Sequence, residues 1–228
     1  VLPVLEDMGY QPQDLSLIIN THGHFDHTGG DARLAAATGA QIWVPEKDVE
    51  IAESIEQQFE QYFAQNDTLV GRHDRAAPSL ETYRKQGDPA TVNRALKDGE
   101  VISLGKGLDL RVITCPGHTL GSVGFYWERE GLLITGDSVL GMGARAGGLP
   151  LIYYPEDYER TLDKLERLDL NLLCMGHHYR SFSLTRESVK QGRDGKRFVR
   201  ESLEVARVIA EAMEKATASA PQASFTQA

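Results

Sequence analysis

The chain has 228 residues, 41% of them hydrophobic and 25% charged, which fits a globular protein long enough to bury a sizeable core. Its formal net charge is −9 and no basic run offsets it, which argues against a nucleic-acid partner. No apolar stretch reaches the length of a membrane span, so no membrane association is expected, and no internal repeat points to a solenoid.

In chain order, residues 3–10 read as the end of a helix closed by Gly9. Pro12 and Asp14 make a turn, and Leu15 to Asn20 is a short β-rich run. After the polar segment Thr21 to Gly30, Asp31 to Thr38 is an Ala-rich helix ended by Gly39, and Gln41 to Val44 is a strand. Pro45 opens a longer helix, with Ile51, Ile55, Phe59 and Tyr62 at helical spacing. Residues 66–97 are polar and aperiodic, a long excursion or lid. Strands are expected at 101–104, 108–114, 123–127 and 132–135, with turns at 105–107 and 128–131. A glycine-rich loop, 141–148, precedes an amphipathic helix after Pro155, a strand over 170–175, and a C-terminal helix presenting Val199, Leu203, Ala206, Ala210 and Met213. Residues 216–228 read as a disordered tail. Cys115 and Cys174 form no CxxC pair or disulfide framework. Two free thiols suit a reducing cytoplasm, the expected location. The chain opens on Val1 in mid-pattern, so an upstream leader stays open.

Chemistry concentrates after the first strand, where His22, His24, Asp26 and His27 fall within six residues. In an extended segment, side chains two apart share a side, so His22 and His24 are placed to bind one metal. Asp26 and His27 follow where the chain turns into a helix and point elsewhere, towards a second metal. Imidazole and carboxylate suit zinc, and also iron or manganese. Three further strand ends each offer one residue of ligand type beside glycine: His118 in Pro-Gly-His-Thr, Asp137 in Gly-Asp-Ser, and His177 in Gly-His-His.

His-x-His-x-Asp-His, Pro-Gly-His-Thr, Gly-Asp-Ser and Gly-His, in this order, resemble the metallo-β-lactamase superfamily, from about Leu2 to His178. The resemblance implies an α/β (α+β) fold, an αββα four-layer sandwich with metals at one edge of the sheets, spanning residues 1–215. It implies two Zn2+ ions, the first on His22, His24 and His118, the second on Asp26, His27 and His177, with Asp137 bridging. Only about twenty residues precede the first motif, where the family has two or more strands. The chain is therefore expected to lack its first N-terminal strands, and to be marginal or to form a homodimer through the exposed edge.

The family's chemistry implies a metal-bridged hydroxide attacking a carbonyl ester, thioester or lactone of a small-molecule substrate. Asp137 would hold both metals and Asp26 would also orient the nucleophile. Other readings are a β-lactam hydrolase, an iron-dependent oxidoreductase on the same ligands, or a non-catalytic binding protein. Asp137 stands where one large group of β-lactamases has Cys. Leu140 stands where acyl-homoserine lactonases have Tyr. The tail after His178 shows no clear match to the glutathione-binding region of glyoxalase II. Cys115 reads as packing. Arg72 and Arg75 could bring a lid to an anionic acyl substrate, against the simpler reading of a solvated excursion. Tyr153 and Tyr154 fit a pocket wall or a core equally well. His178 fits a substrate contact, a support for the ligands or a surface neighbour.

Overall fold

The structure is a computed structural model that describes residues 1–64, 79–144 and 149–219. It is a mixed α/β chain of two compact units, one holding the described residues up to Leu96 and the other those from Lys97 onward.

The first unit is built on a three-stranded parallel sheet of β1 (Leu17–Ile19), β2 (Gln41–Pro45) and β3 (Arg94–Leu96), in that order. The register pairs Leu17 with Gln41 and Trp43 with Arg94. Its helices are α1 (Leu2–Asp7), α2 (Phe25–Thr28), α3 (Asp31–Thr38), α4 (Val49–Glu53), α5 (Ile55–Gln58) and α6 (Leu80–Arg84). Gly39 ends α3 in the left-handed conformation with φ 80°, the arrangement expected from its position after the Ala-rich run. Ile42, Val44, Ala52 and Ala90 form the unit's core, with Ile18, Ala35 and Val92 packed against them.

The single long helix expected after Pro45 is instead a series of short pieces. Ser54 takes an extended backbone, with φ −142° and ψ 110°, and its hydroxyl accepts the N–H of Gln57. A serine that caps the next helix has left the preceding one. After α5 the chain runs through a π-helical turn, Phe59–Phe63. The stretch read as a polar excursion also carries regular structure. Its described part includes α6 and β3, and β3 completes the parallel sheet, with the Arg94 guanidinium 4.4 Å from the centre of the Trp43 ring. Arg72 and Arg75 lie outside the described residues, as does 145–148 of the glycine-rich loop.

The second unit has a six-stranded sheet in simple order: β4 (Val101–Ser103), β5 (Asp109–Thr114), β6 (Val123–Trp127), β7 (Leu132–Gly136), β8 (Leu172–Met175) and β9 (Val189–Gln191). Strand β9 was not anticipated from the sequence. Pairing is antiparallel except between β7 and β8. Strands β5, β7 and β8 therefore run in one direction and end on the same side of the sheet. Helices α7 (Pro155–Glu166) and α8 (Arg193–Ser219) meet over a core where Tyr158, Leu162, Leu165, Phe198, Leu133 and Leu173 are fully enclosed. Each such aliphatic or aromatic side chain contributes roughly 1.5–3 kcal/mol of burial. Helix α8 extends to Ser219, past the expected start of the tail at 216, and residues 220–228 lie outside the described residues.

Candidate metal centre

The His and Asp side chains that could hold a metal ion are His22, His24, Asp26, His27, His118, Asp137 and His177. Among the described residues, four of these belong to the first unit and three to the second.

In the first unit the chain leaves β1 at Asn20, whose side chain donates to Asp31 Oδ2 at 2.7 Å. His22 and His24 follow, both buried, with ring centres 4.9 Å apart. The alternation expected of an extended segment thus brings the two imidazoles together. His27 lies in the short helix α2, its ring centre 4.1 Å from that of His22. Its Nε2 is 3.8 Å from Asp26 Oδ2, and Asp26 is the more open of the two, at 41% side-chain exposure against 16%. Gly23, between the two buried histidines, has no room for a side chain: a Cβ there would sit 2.6 Å from Ile51 Cγ1 and 2.8 Å from the Asp48 carbonyl oxygen. The Gly23 N–H donates to the buried Asp48 carboxylate at 2.9 Å. Burial pushes the Asp31 carboxyl up to about 6, against the Asn20 hydrogen bond and the nearby His27, which both lower it.

In the second unit each ligand-type residue follows one of the co-directional strands. His118 comes after β5 on a tight turn where Cys115 N–H donates to the Ser122 carbonyl and Thr119 N–H to the Ser122 hydroxyl. Gly117 has φ 144°, and a Cβ there would meet Tyr158 at 2.7 Å, so the turn lies directly on α7. Asp137 follows β7, beside a register shift between Ile134 and Gly136. The Gly176 N–H donates to the Gly136 carbonyl at 2.9 Å, and His177 is the second residue after β8.

Asp137 Oδ2 lies 3.6 Å from His118 Nε2 and 3.4 Å from His177 Nε2. These separations exceed the usual 2.7–3.2 Å of a hydrogen bond. Two donors each ~2.1 Å from one ion at a tetrahedral angle would be ~3.4 Å apart. His118 Nδ1 lies 2.8 Å from the Leu151 carbonyl oxygen. A carbonyl only accepts, so Nδ1 carries a proton and Nε2 is the ring atom that faces Asp137. Backbone carbonyls orient metal-binding imidazoles in this way. The donor types gathered here, imidazole nitrogen and carboxylate oxygen, fit a divalent metal.

Of the residues considered for substrate contact, Tyr153 lies near the cluster, its ring centre 6.0 Å from that of His118. The N–H groups of Tyr153 and Tyr154 both donate to the Gly117 carbonyl. His178 is exposed, and its carbonyl accepts from Arg186 Nε at 2.9 Å. Burial pushes the Cys115 thiol up to about 12, consistent with packing.

Sequence reading missed the residues that hold these loops. Asp48 and Gln58 bind the backbone around His22 and His24. Arg180 Nη2 donates to the Met142 carbonyl at 2.6 Å and Arg186 Nη2 to the Ala144 carbonyl, which ties the segment after Asp137 to the segment after His177. A buried Gln or Asp in an otherwise apolar helix face is the only sequence signal for such a role.

The sequence profile of the Metallo-beta-lactamase superfamily matches residues 2–177. The chain belongs to that superfamily. Among curated relatives, it is 30% identical over 179 residues to a "Hydroxyacylglutathione hydrolase" of Methylococcus capsulatus, covering 78% of this chain and 54% of the relative. A protein of the same name from Cereibacter sphaeroides is 28% identical over 180 residues, covering 78% and 53%. The chain thus spans about half the length of the curated relatives it matches. Among solved structures, a metallo-beta-lactamase family protein of Thermus thermophilus aligns with a TM-score of 0.70 at 24% identity, covering 93% of this chain and 67% of the other. A subclass B3 metallo-beta-lactamase of Bradyrhizobium japonicum aligns with a TM-score of 0.60 at 22% identity, covering 96% and 80%. The fold is of the metallo-β-lactamase type, as the motif order implied. Among the described residues no helix is long and apolar enough to cross a membrane.

Proposed function

We propose that the chain is a zinc-dependent hydrolase of small carbonyl esters, thioesters or lactones, with residues 1–215 as its catalytic domain. The observation that carries this reading is the Asp137 carboxylate, held 3.6 Å and 3.4 Å from the Nε2 atoms of His118 and His177 at ligand-pair rather than hydrogen-bond separation. The family's motif order supports sharing of two ions, with His22, His24 and His118 on one, Asp26, His27 and His177 on the other, and Asp137 on both. A pair of zinc ions supplies acidified water near neutral pH and polarises a carbonyl.

The chain's own residues set the conditions for that chemistry. Burial of His22, His24 and His118 keeps bulk water from the imidazoles. The Leu151 carbonyl fixes the His118 tautomer. Asp26, the more exposed carboxylate, accepts a hydrogen bond from the attacking water and orients it. Tyr153 and His178 are the candidates to meet the substrate. The name of the curated relatives denotes an S-acyl glutathione, which is chemically a thioester, and this favours thioesters among the three bond types.

The test is metal content by mass spectrometry, followed by turnover of thioesters, p-nitrophenyl esters, lactones and β-lactams. Two zinc ions per chain with thioester, ester or lactone cleavage is the expected result. Iron with a redox-active spectrum would replace this reading with an oxidoreductase, and preferential β-lactam turnover with a lactamase. A chain that binds metal and cleaves nothing would leave a binding protein.

A further inference from the structure

The buried side-chain amide of Gln58 makes three hydrogen bonds, two of them to the backbone of the metal-ligand loop. Its Oε1 accepts the Phe25 N–H at 2.8 Å, and its Nε2 donates to the Gly23 carbonyl at 2.8 Å and the Ile51 carbonyl at 3.0 Å. Gly23 and Phe25 flank His24, and Gly23 also follows His22. The peptide N–H of Gly23 is taken by Asp48. The loop is thus gripped on both sides of one histidine and immediately after the other. The three bonds need a group that accepts on one atom and donates twice from another. A primary amide does this, whereas a carboxylate only accepts.

The local fold aims this amide. The break at Ser54 starts α5 afresh, Gln58 is its last residue, and the π-helical turn begins at the next. Such turns recur at functional sites. The turn brings Tyr62 and Phe63 against the His24 ring, at centroid distances of 4.7 Å and 5.3 Å. One ten-residue segment, 54–63, therefore holds both the backbone and the imidazole of His24.

We propose that Gln58 is a positioning residue that pre-forms the His22–His24 pair and thereby sets the metal affinity of this loop. This role rests on the metal-centre reading above and adds a determinant lying outside the ligand set.

The test measures zinc dissociation constants by chelator competition on the full chain, for wild type, Gln58→Glu and Gln58→Met. Losing a group that orients ligands typically weakens metal binding about 10- to 100-fold, and that range is expected for both variants. The visible spectrum of the cobalt-substituted protein should also shift, which a general loss of stability would not produce. Hydrogen exchange on metal-free wild type needs no variant and should show slow amides at Gly23 and Phe25. Wild-type zinc affinity and an unchanged cobalt spectrum in both variants would overturn the role, as would fast exchange at those amides. Failure of the wild type to bind zinc would instead defeat the metal-centre reading, and this role with it.

Discussion

The backbone N–H of Leu140 donates to the hydroxyl of Tyr158 at 2.8 Å. Tyr158 is fully buried on α7, and its Cα, Cβ and ring lie where a side chain on Gly117 would be. One phenol thus touches the turn before His118 and the segment after Asp137. Tyr158→Phe leaves a buried N–H without this acceptor, which typically costs about 1–3 kcal/mol. Chemical denaturation should show that loss. A change below the error of the measurement would mean that the Leu140 N–H finds another acceptor.

Gly23→Ala tests the closeness of the His22–His24 loop to its support. The added methyl meets Ile51 Cγ1 at 2.6 Å and a backbone oxygen at 2.8 Å, and the backbone cannot turn aside as a flexible side chain would. Overpacking of this kind costs about 1–3 kcal/mol. The variant should unfold at lower denaturant and bind zinc more weakly, both checked against wild type in parallel titrations.

Asp31 makes stability depend on pH. Burial lifts its folded carboxyl to about 6, from an ordinary value of 3.8. Between those values the folded chain holds a proton that the unfolded chain releases. Its contribution is therefore complete below about pH 4 and is lost as pH rises through 6. The separation of those two values corresponds to roughly 3 kcal/mol at most. In metal-free protein, wild type should gain stability relative to Asp31→Asn between pH 7.5 and pH 5. A difference that stays constant across this range would show that Asp31 does not titrate there.

Cys115 should be dispensable for chemistry. With its thiol pushed up to about 12 by burial, almost no thiolate exists at neutral pH. Cys115→Ala should keep turnover within about one order of magnitude, the equivalent of 1.4 kcal/mol in the barrier. Iodoacetamide should label the partly exposed Cys174 first. Loss of all turnover in the variant would instead bring a thiol nucleophile into consideration.

Legibility from sequence followed the range of the forces involved. The His22–His27 loop stood out because ligand chemistry admits few residue types, and their spacing is local. Helix α3 and Gly39 were legible for the same reason: apolar periodicity and a left-handed terminus act within a few residues. The break at Ser54 was not, because a capping serine differs little from a serine inside a helix until its backbone is seen. Gln58 and Asp48 act on atoms 25 to 35 residues away, so a polar residue on an otherwise apolar face is the only local trace of them. Strands β3 (Arg-Ala-Leu) and β9 (Val-Lys-Gln) lack the β-rich apolar run that marks the equally short β1 and β4. Their pairing partners define them.

Gln58, Asp48, Tyr158, Arg180 and Arg186 all grip main-chain atoms of the ligand loops rather than the side chains those loops display. A peptide group is the same whatever residue carries it. The scaffold therefore leaves side-chain identity at half-buried positions such as Phe25 and Tyr153 largely decoupled from the path of the backbone. Substrate preference could be recast at those positions by selection or by directed evolution, while the atoms that would bind metal stay where they are.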